Sequence, residues 1–180
     1  MDQVQATLRF EELSSRRRFG CKGPGAETWL RERGFDVPPG ANSARTDRGS
    51  VLVARLATSE FLIEDIGGAG ESVQSAWRTL ESTQCPAGVY PVLRQDFVVG
   101  ISGSAMATLL RQICNLDFEP VLAAHAAPDG PVVLTSMAGV GVVAWPVRTA
   151  DHCSLTLWLD PSFAHYFWST LGSLAQDMAR

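Results

Sequence analysis

The run Gly20-Cys-Lys-Gly23-Pro-Gly25 is the first feature with a chemical possibility, because the backbone N–H groups of a glycine-rich loop can cradle phosphate. It follows neither the G-x-x-x-x-G-K-S/T nor the G-x-G-x-x-G order, and Gly100-x-x-Gly103 repeats its first two glycines. The spacing therefore points to architecture: glycines that let a strand turn sharply into a helix, with Pro24 at the first helical position. Four cysteines at 21, 85, 114 and 153 form no C-x-x-C pair and no zinc spacing, so they read as free buried thiols. His152 and Cys153 are neighbours whose side chains point apart on a strand, which disfavours a shared metal. Nucleophilic catalysis needs a Cys or Ser beside a base that a third group orients, and His125, His152 and His165 stand in no such signature. His165 lies in a helix with Phe163, Tyr166, Phe167 and Trp168, as a packed or surface imidazole. Glu64 and Asp65 are adjacent at a strand end, where their carboxylates diverge. Asp160, before Pro161, reads as a helix cap. The expectation is no catalytic residue, no metal ligand and no assignable cofactor-binding residue in this chain.

Two residue sets carry a choice between structure and recognition. Arg16-Arg17-Arg18 is either a solvated lead-in to a strand or a docking site for an acidic partner surface. Trp77, Trp145, Trp158 and Trp168 are either core or part of a patch that buries against another protein, since Trp and Arg are favoured at interface centres.

The elements that position these residues come from 180 residues, enough for one domain or a compact pair of small ones. Apolar residues make up 46% and charged residues 19%, which excludes a wholly disordered chain. The net charge is −4, which argues against a generic nucleic-acid binder. The charge is split: nine basic and seven acidic residues up to Arg48, then six basic and twelve acidic. Lys22 is the only lysine, a bias towards Arg in composition without chemical meaning. The N-terminus has neither a basic nor an apolar leader region, and the most apolar stretch, Pro131–Val147, is too short and too broken for a membrane helix. The chain reads as soluble and cytoplasmic.

The sequence repeats once. Phe19–Arg31 aligns with Val99–Arg111 at a spacing of 80, with identities Gly20/Gly100, Gly23/Gly103, Thr28/Thr108, Leu30/Leu110 and Arg31/Arg111. Each helix start is followed by an Asp- and Pro-containing loop, Phe35–Gly40 and Asp117–Pro120. In the first half, strands are expected at Val51–Ala57 and Glu60–Ile66 about a Thr58-Ser59 turn, one face being only half apolar. A helix from Ser72 to about Gln84 follows, with Val73, Ala76, Trp77 and Leu80 at helical spacing, then a strand from about Val89 to Arg94. This is the order of a split βαβ unit. The second half predicts a strand at Phe97–Ser102, a helix from an N-cap at Ser104 to about Cys114, and strands at Val132–Met137, Val140–Trp145 and Ser154–Asp160. A closing helix opens at Pro161 and Ser162 and runs to about Met178. The expected fold is α+β: a lead-in over 1–18 and two related modules over 19–95 and 96–180, packed as one unit.

Three stretches resemble the gamma subunit of heterotetrameric sarcosine oxidase. Phe19-Gly-Cys-Lys-Gly-Pro-Gly-Ala-Glu-Thr-Trp-Leu30 is similar to that family's opening Arg-Phe-Gly-x-Lys-Gly-Pro-Gly-Ala-x-x-Trp-Leu. Ala54–Asp65 is similar to its strand pair with Glu-Phe-Leu, and Leu157–Trp168 to its closing Val-Asp-Arg-Ser-Phe-Ala-x-Tyr-Leu-Trp. The likeness spans about Phe19 to Leu174. Pro161 stands where the family pattern has Arg, a departure that fits a relative serving another N-methyl amine. The resemblance implies a fold similar to the folate-binding domain of aminomethyltransferases, in a shortened version without the tetrahydrofolate site. It implies a chain with no cofactor, packed on an alpha subunit that carries NAD and a folate-binding region. A beta subunit with FAD and covalent FMN and a zinc-binding delta subunit complete the implied assembly.

Two rival readings follow from the same likeness. One is a complex acting on dimethylglycine, N-methylglutamate or a betaine-derived amine. The other is a stand-alone folate-binding one-carbon protein, which would need a pterin pocket with a buried carboxylate, for which Asp96, Asp117 and Glu119 are the candidates. A generic interaction module is a third.

Overall fold

The computed structural model describes residues 7–47, 50–67, 70–81, 85–123, 129–148 and 153–179. In chain order the first elements are β1 (Arg9–Glu12), β2 (Arg18–Lys22), α1 (Ala26–Glu32), β3 (Ser43–Asp47), β4 (Val51–Ala57), β5 (Glu60–Asp65), α2 (Gly70–Glu81) and β6 (Tyr90–Val92). They are followed by β7 (Phe97–Ser102), α3 (Met106–Ile113), α4 (Phe118–Ala123), β8 (Asp129–Pro131), β9 (Val133–Met137), β10 (Val140–Arg148), β11 (Cys153–Leu159) and α5 (Ala164–Met178). The fold is α+β, with two antiparallel sheets.

The first module comprises Ser15–Arg94 with the described residues 129–132. Its sheet has the order β6-β2-β5-β4-β3-β8. Period-2 alternation sends Phe19, Cys21, Val51, Val53, Phe61 and Ile63 to one face, where Trp29 and Leu30 of α1 and Val73, Ala76 and Leu80 of α2 close the core. Trp77, next in the α2 stripe, lies half-buried over Phe19 with ring centroids 6.3 Å apart. Fully burying a side chain such as Phe19 contributes about 1.5–3 kcal/mol.

The second module comprises the described residues 7–14, 95–123 and 133–179. Its sheet order is β1-β7-β11-β10-β9. Val99, Ile101, Val142, Ala144, Leu155 and Leu157 meet Leu109 and Leu110 of α3 and Phe167 and Leu171 of α5 in its core.

The two sheets repeat one plan. β2 lies between β6 and β5, as β7 lies between β1 and β11; β4 and β3 then match β10 and β9. In the first module the strand after the second helix, β6, flanks β2. In the second, that place beside β7 is taken by β1, from the other end of the chain.

Several expectations change accordingly. Residues 1–18 are not a mere lead-in: Arg9–Glu12 pairs with Val99–Ser102, and Arg18 already belongs to β2. The segment Asp129–Pro131 pairs with Ser43–Arg45, so the second half of the sequence contributes a strand to the first sheet. The division between modules falls after Arg94, one residue before the expected position, with these two segments crossing it. β1, β3 and β8 were not expected as strands, because RFEE, SARTD and DGP lack apolar alternation. α4 occupies what reads as an Asp- and Pro-containing loop; Asp117 starts it by accepting from the Glu119 N–H at 3.1 Å. Pro24 is not at the first helical position, since Gly25 is the N-cap of α1. Ser104 is not the N-cap of α3, which is Ala105; the Ser104 hydroxyl instead accepts from the Thr7 N–H at 3.0 Å. The far end expected for α2, residues 82–84, lies outside the described residues, as do His125 and His152.

Candidate functional site

The glycine run is filled by protein. Gly23 has φ +116°, a region closed to other residues, and a methyl group there would overlap the Gly88 carbonyl oxygen. The Gly25 N–H donates to that same oxygen at 3.0 Å. Gly103 repeats the arrangement with φ +117° and the Thr7 carbonyl, and the Ala105 N–H donates to Thr7 O at 3.1 Å. The turns that could have cradled phosphate hold neighbouring backbone carbonyls.

The arginine run divides: Arg18 is turned inward, Arg16 partly so, and Arg17 is exposed. Arg18 Nε donates to Glu64 Oε2 at 2.9 Å, and Arg16 Nη1 to Glu64 Oε1 at 3.4 Å. Glu64 is fully buried and the Arg18 side chain is 4% exposed, so this is an interior ion pair set by the β2–β5 register Arg18↔Glu64. Arg17 donates to Gln74 on α2 at 3.1 Å. The half-apolar face of β4 has the same explanation. Arg55 is buried, donating to Pro38 O and Pro39 O at 3.2 Å and Thr58 O at 2.7 Å, and pairing with Glu27 at 2.9 Å. It pins the Asp- and Pro-containing loop to the sheet, where its buried charge is matched by acceptors.

No group of three His, Cys, Asp or Glu able to hold a metal occurs among the described residues. His165 is exposed on α5. Cys21 is buried and its thiol is pushed up to about 12, by desolvation first and by neighbouring Cys85 second. Cys85 and Cys153 are half-buried and Cys114 buried, all four being free thiols. Trp145 and Trp158 are buried and Trp77 half-buried. Trp168 is 39% exposed and packs edge-on against Phe97 at 6.1 Å. The tryptophans are thus mostly core, with one at the surface.

Of the three candidate carboxylates, two are spent locally. Asp117 starts α4, and Glu119 pairs with Arg148 at 3.0 Å on the surface. Asp96 lines a cleft of about 530 Å³ at one end of the second sheet, together with Leu134, Thr135, Gly141, Val142, Val143, Trp158, Leu159 and Asp160. Asp160 also caps the turn into α5 as expected, accepting from the Ser162 N–H at 2.8 Å, and hydrogen bonds from Ser162 hold its carboxyl below the usual range. The lining therefore combines apolar walls with two carboxylates and no basic side chain. Gly141 leaves the space: a Cβ built on it meets nothing within 4 Å. The signal was present in the sequence as a glycine inside the apolar strand Val140–Arg148, where no turn requires one.

Fold and site together define a duplicated antiparallel α+β chain whose glycines and interior charges are structural and whose open features are surface clefts. This fold is shared with one chain of the heterotetrameric sarcosine oxidase from Corynebacterium sp. U-96 in complex with pyrrole 2-carboxylate: TM-score 0.72, 20% identity, 98% of this chain and 87% of that one covered. It is shared also with the glycine cleavage system aminomethyltransferase T from Bartonella henselae, at TM-score 0.60, 12% identity and 93% coverage of this chain. The chain spans 46% of that enzyme, about half its length. No protein-family model matches the sequence, and no curated protein matches it significantly. Among the described residues no helix is long and apolar enough to cross a membrane.

Proposed function

We propose that this chain is the gamma-type, non-catalytic subunit of a cytoplasmic heterotetrameric complex of the sarcosine oxidase kind. The observation that carries the reading is the match over 98% of this chain and 87% of one chain of a solved sarcosine oxidase. The filling of the glycine turns by backbone carbonyls fits a buttressing role. In this proposal the flavins FAD and FMN, NAD, tetrahydrofolate and zinc sit in alpha, beta and delta partner subunits, and this chain packs directly on alpha. The complex oxidises sarcosine at a flavin to an imine. Electrons pass to oxygen, and the one-carbon unit goes to tetrahydrofolate or leaves as formaldehyde. Pro161, in the place of the family's Arg, makes dimethylglycine or N-methylglutamate the alternative substrates.

Tagging the chain in its native host and purifying it gently tests this. Larger subunits and a flavin band near about 450 nm are expected; a colourless chain without partners would contradict it. A second reading, a stand-alone folate-binding one-carbon protein, is favoured only by Asp96 in its cleft. Tight tetrahydrofolate binding by the isolated chain would support it.

A further inference from the structure

The second module is completed by a strand that is not continuous with it. β1 pairs with β7 through Arg9↔Ser102, Phe10↔Ile101, Glu11↔Gly100 and Glu12↔Val99. In the first module the equivalent place beside β2 belongs to β6, which the chain reaches directly from α2 of the same module. β1 instead continues into β2, a strand of the other sheet, and the module boundary falls between Ser14 and Ser15.

The place that β1 fills is shaped as a receptor for it. At one end Gly103, at φ +117°, leaves room for the Thr7 carbonyl, which a methyl group there would overlap. The Ala105 N–H donates to the same carbonyl at 3.1 Å, and the Thr7 N–H donates to Ser104 Oγ at 3.0 Å. In the middle, Leu8 and Phe10 pack against the core of the module. At the other end a Cβ on Gly100 would stand 3.0 Å from Leu13 Cδ1, so that glycine makes the seat of the buried Leu13 side chain. The Leu13 N–H donates to Val98 O at 2.8 Å, and the Val98 N–H donates to Ser14 Oγ at 3.0 Å. Backbone pairing gives such a site its affinity, and the alternate side-chain seats give it selectivity.

Each of these contacts joins Thr7–Ser14 to the second module. None requires that the strand and its receptor belong to one molecule. The link onward to β2 is short. Ser14 is held by Val98, and the Arg17 carbonyl already accepts from the Asp65 N–H at 2.9 Å, leaving Ser15 and Arg16 to make the turn. A short hinge favours exchange between copies, because the strand restores each contact in the next copy while the turn opens out.

We infer that the β7 edge is a strand-accepting site and that two copies of this chain exchange Thr7–Ser14 across it, forming a swapped dimer. The inference goes beyond the proposed function and does not depend on it. Within one copy the tethered strand is present at an effective concentration of about millimolar, so the swapped form is populated as the chain itself approaches that concentration.

The test uses Arg9→Cys and Ser102→Cys, a register pair across the β1–β7 edge, in a Cys85→Ser, Cys153→Ser background that removes the two half-buried thiols. Placed in one chain, the pair closes within a copy. Placed in separate full-length chains, mixed at about millimolar concentration and oxidised with copper phenanthroline, it closes only between copies. The expected result is a covalent heterodimer at least about tenfold more abundant than when Thr28→Cys, exposed on α1, replaces Arg9→Cys. The chain already locked by both cysteines should stay monomeric at the concentration where the unaltered chain dimerises. A heterodimer no more abundant than the Thr28→Cys control, with the one-chain pair closing, overturns the exchange. A one-chain pair that does not close in the folded protein overturns the acceptor site itself. A dimer undiminished in the locked chain places the contact elsewhere and also overturns the exchange.

Discussion

Gly23 and Gly103, eighty positions apart, adopt φ of +116° and +117°, and each lies against a backbone carbonyl, Gly88 in one module and Thr7 in the other. Those two carbonyls come from segments with unrelated places in the sequence. One precedes β6, which follows the second helix of its own module. The other precedes β1, near the start of the chain and far in sequence from the helix it serves, α3. One backbone device is therefore satisfied by two different routes of the chain, and that is how the second module is completed.

The glycines set the first prediction. Gly23→Ala and Gly103→Ala each force a side chain into a glycine-only conformation, costing about 1–3 kcal/mol before the overlap with the carbonyl is counted. Gly172→Ala, in α5 with open space around it, should instead stabilise by about 0.5–1 kcal/mol. Urea denaturation of the three variants measures the contrast. Equal, small effects at Gly23 and Gly103 would remove the structural account of the run.

The N-terminal segment sets the second. Removing residues 1–14 takes away β1, the Leu13 N–H bond to Val98 O at 2.8 Å and the Ser14 hydroxyl that accepts from Val98 N–H at 3.0 Å. Buried Leu13 goes with it, a group whose truncation to Ala alone costs about 2–5 kcal/mol. The shortened chain should lose cooperative melting and soluble yield. Wild-type melting of the truncated chain would show that β1 is dispensable.

These contrasts show what could be read in advance. β4 and β7 have the bounds that alternation predicts, Val51–Ala57 and Phe97–Ser102, because both are long, central and apolar. The duplication was legible because helix-entry glycines leave fixed marks. β1, β3 and β8 are not legible in the sequence: all three are short and polar, β3 being held by its neighbour β4, while β1 and β8 are strands only through partners far along the chain, 84 residues away for Asp129 and Arg45. The inward turn of Arg16 and Arg18 could not be seen either, since a charge run carries no record of a buried carboxylate across the sheet. Asp96 is legible only by its residue type, whereas Gly141, which shapes the cleft, is marked by its place within a strand.

The buried ion pair gives a third prediction. Glu64→Gln leaves the Arg18 guanidinium in the interior opposite a neutral group, and breaking such a pair costs about 3–5 kcal/mol. Replacing both partners together, Arg18→Met with Glu64→Leu, should recover most of the loss. A thermal-melt double-mutant cycle reads it. A Glu64→Gln protein as stable as its parent would make the pair incidental.

Cys21 supplies a pH dependence. Its thiol titrates at about 12 in the folded chain because burial disfavours the thiolate, against about 8.5 when unfolded. The folded state thus holds the proton more tightly. Its contribution is fully present below about pH 8.5 and is lost as pH rises towards 12. Stability should fall more steeply above about pH 8.5 than in a Cys21→Ala variant. At pH 8, iodoacetamide should label half-buried Cys85 and Cys153 while sparing Cys21 in the folded protein. Rapid labelling of Cys21 would contradict the burial.

The most direct measurement of the central claim is made on the assembly captured through this chain from its native host. Sarcosine is added without oxygen while the flavin absorbance is followed. If the chain is a subunit of such a complex, larger subunits accompany it and their flavin bleaches on addition of sarcosine, or of a related N-methyl amine. A chain recovered alone and colourless, or a flavin that no N-methyl amine reduces, would contradict it.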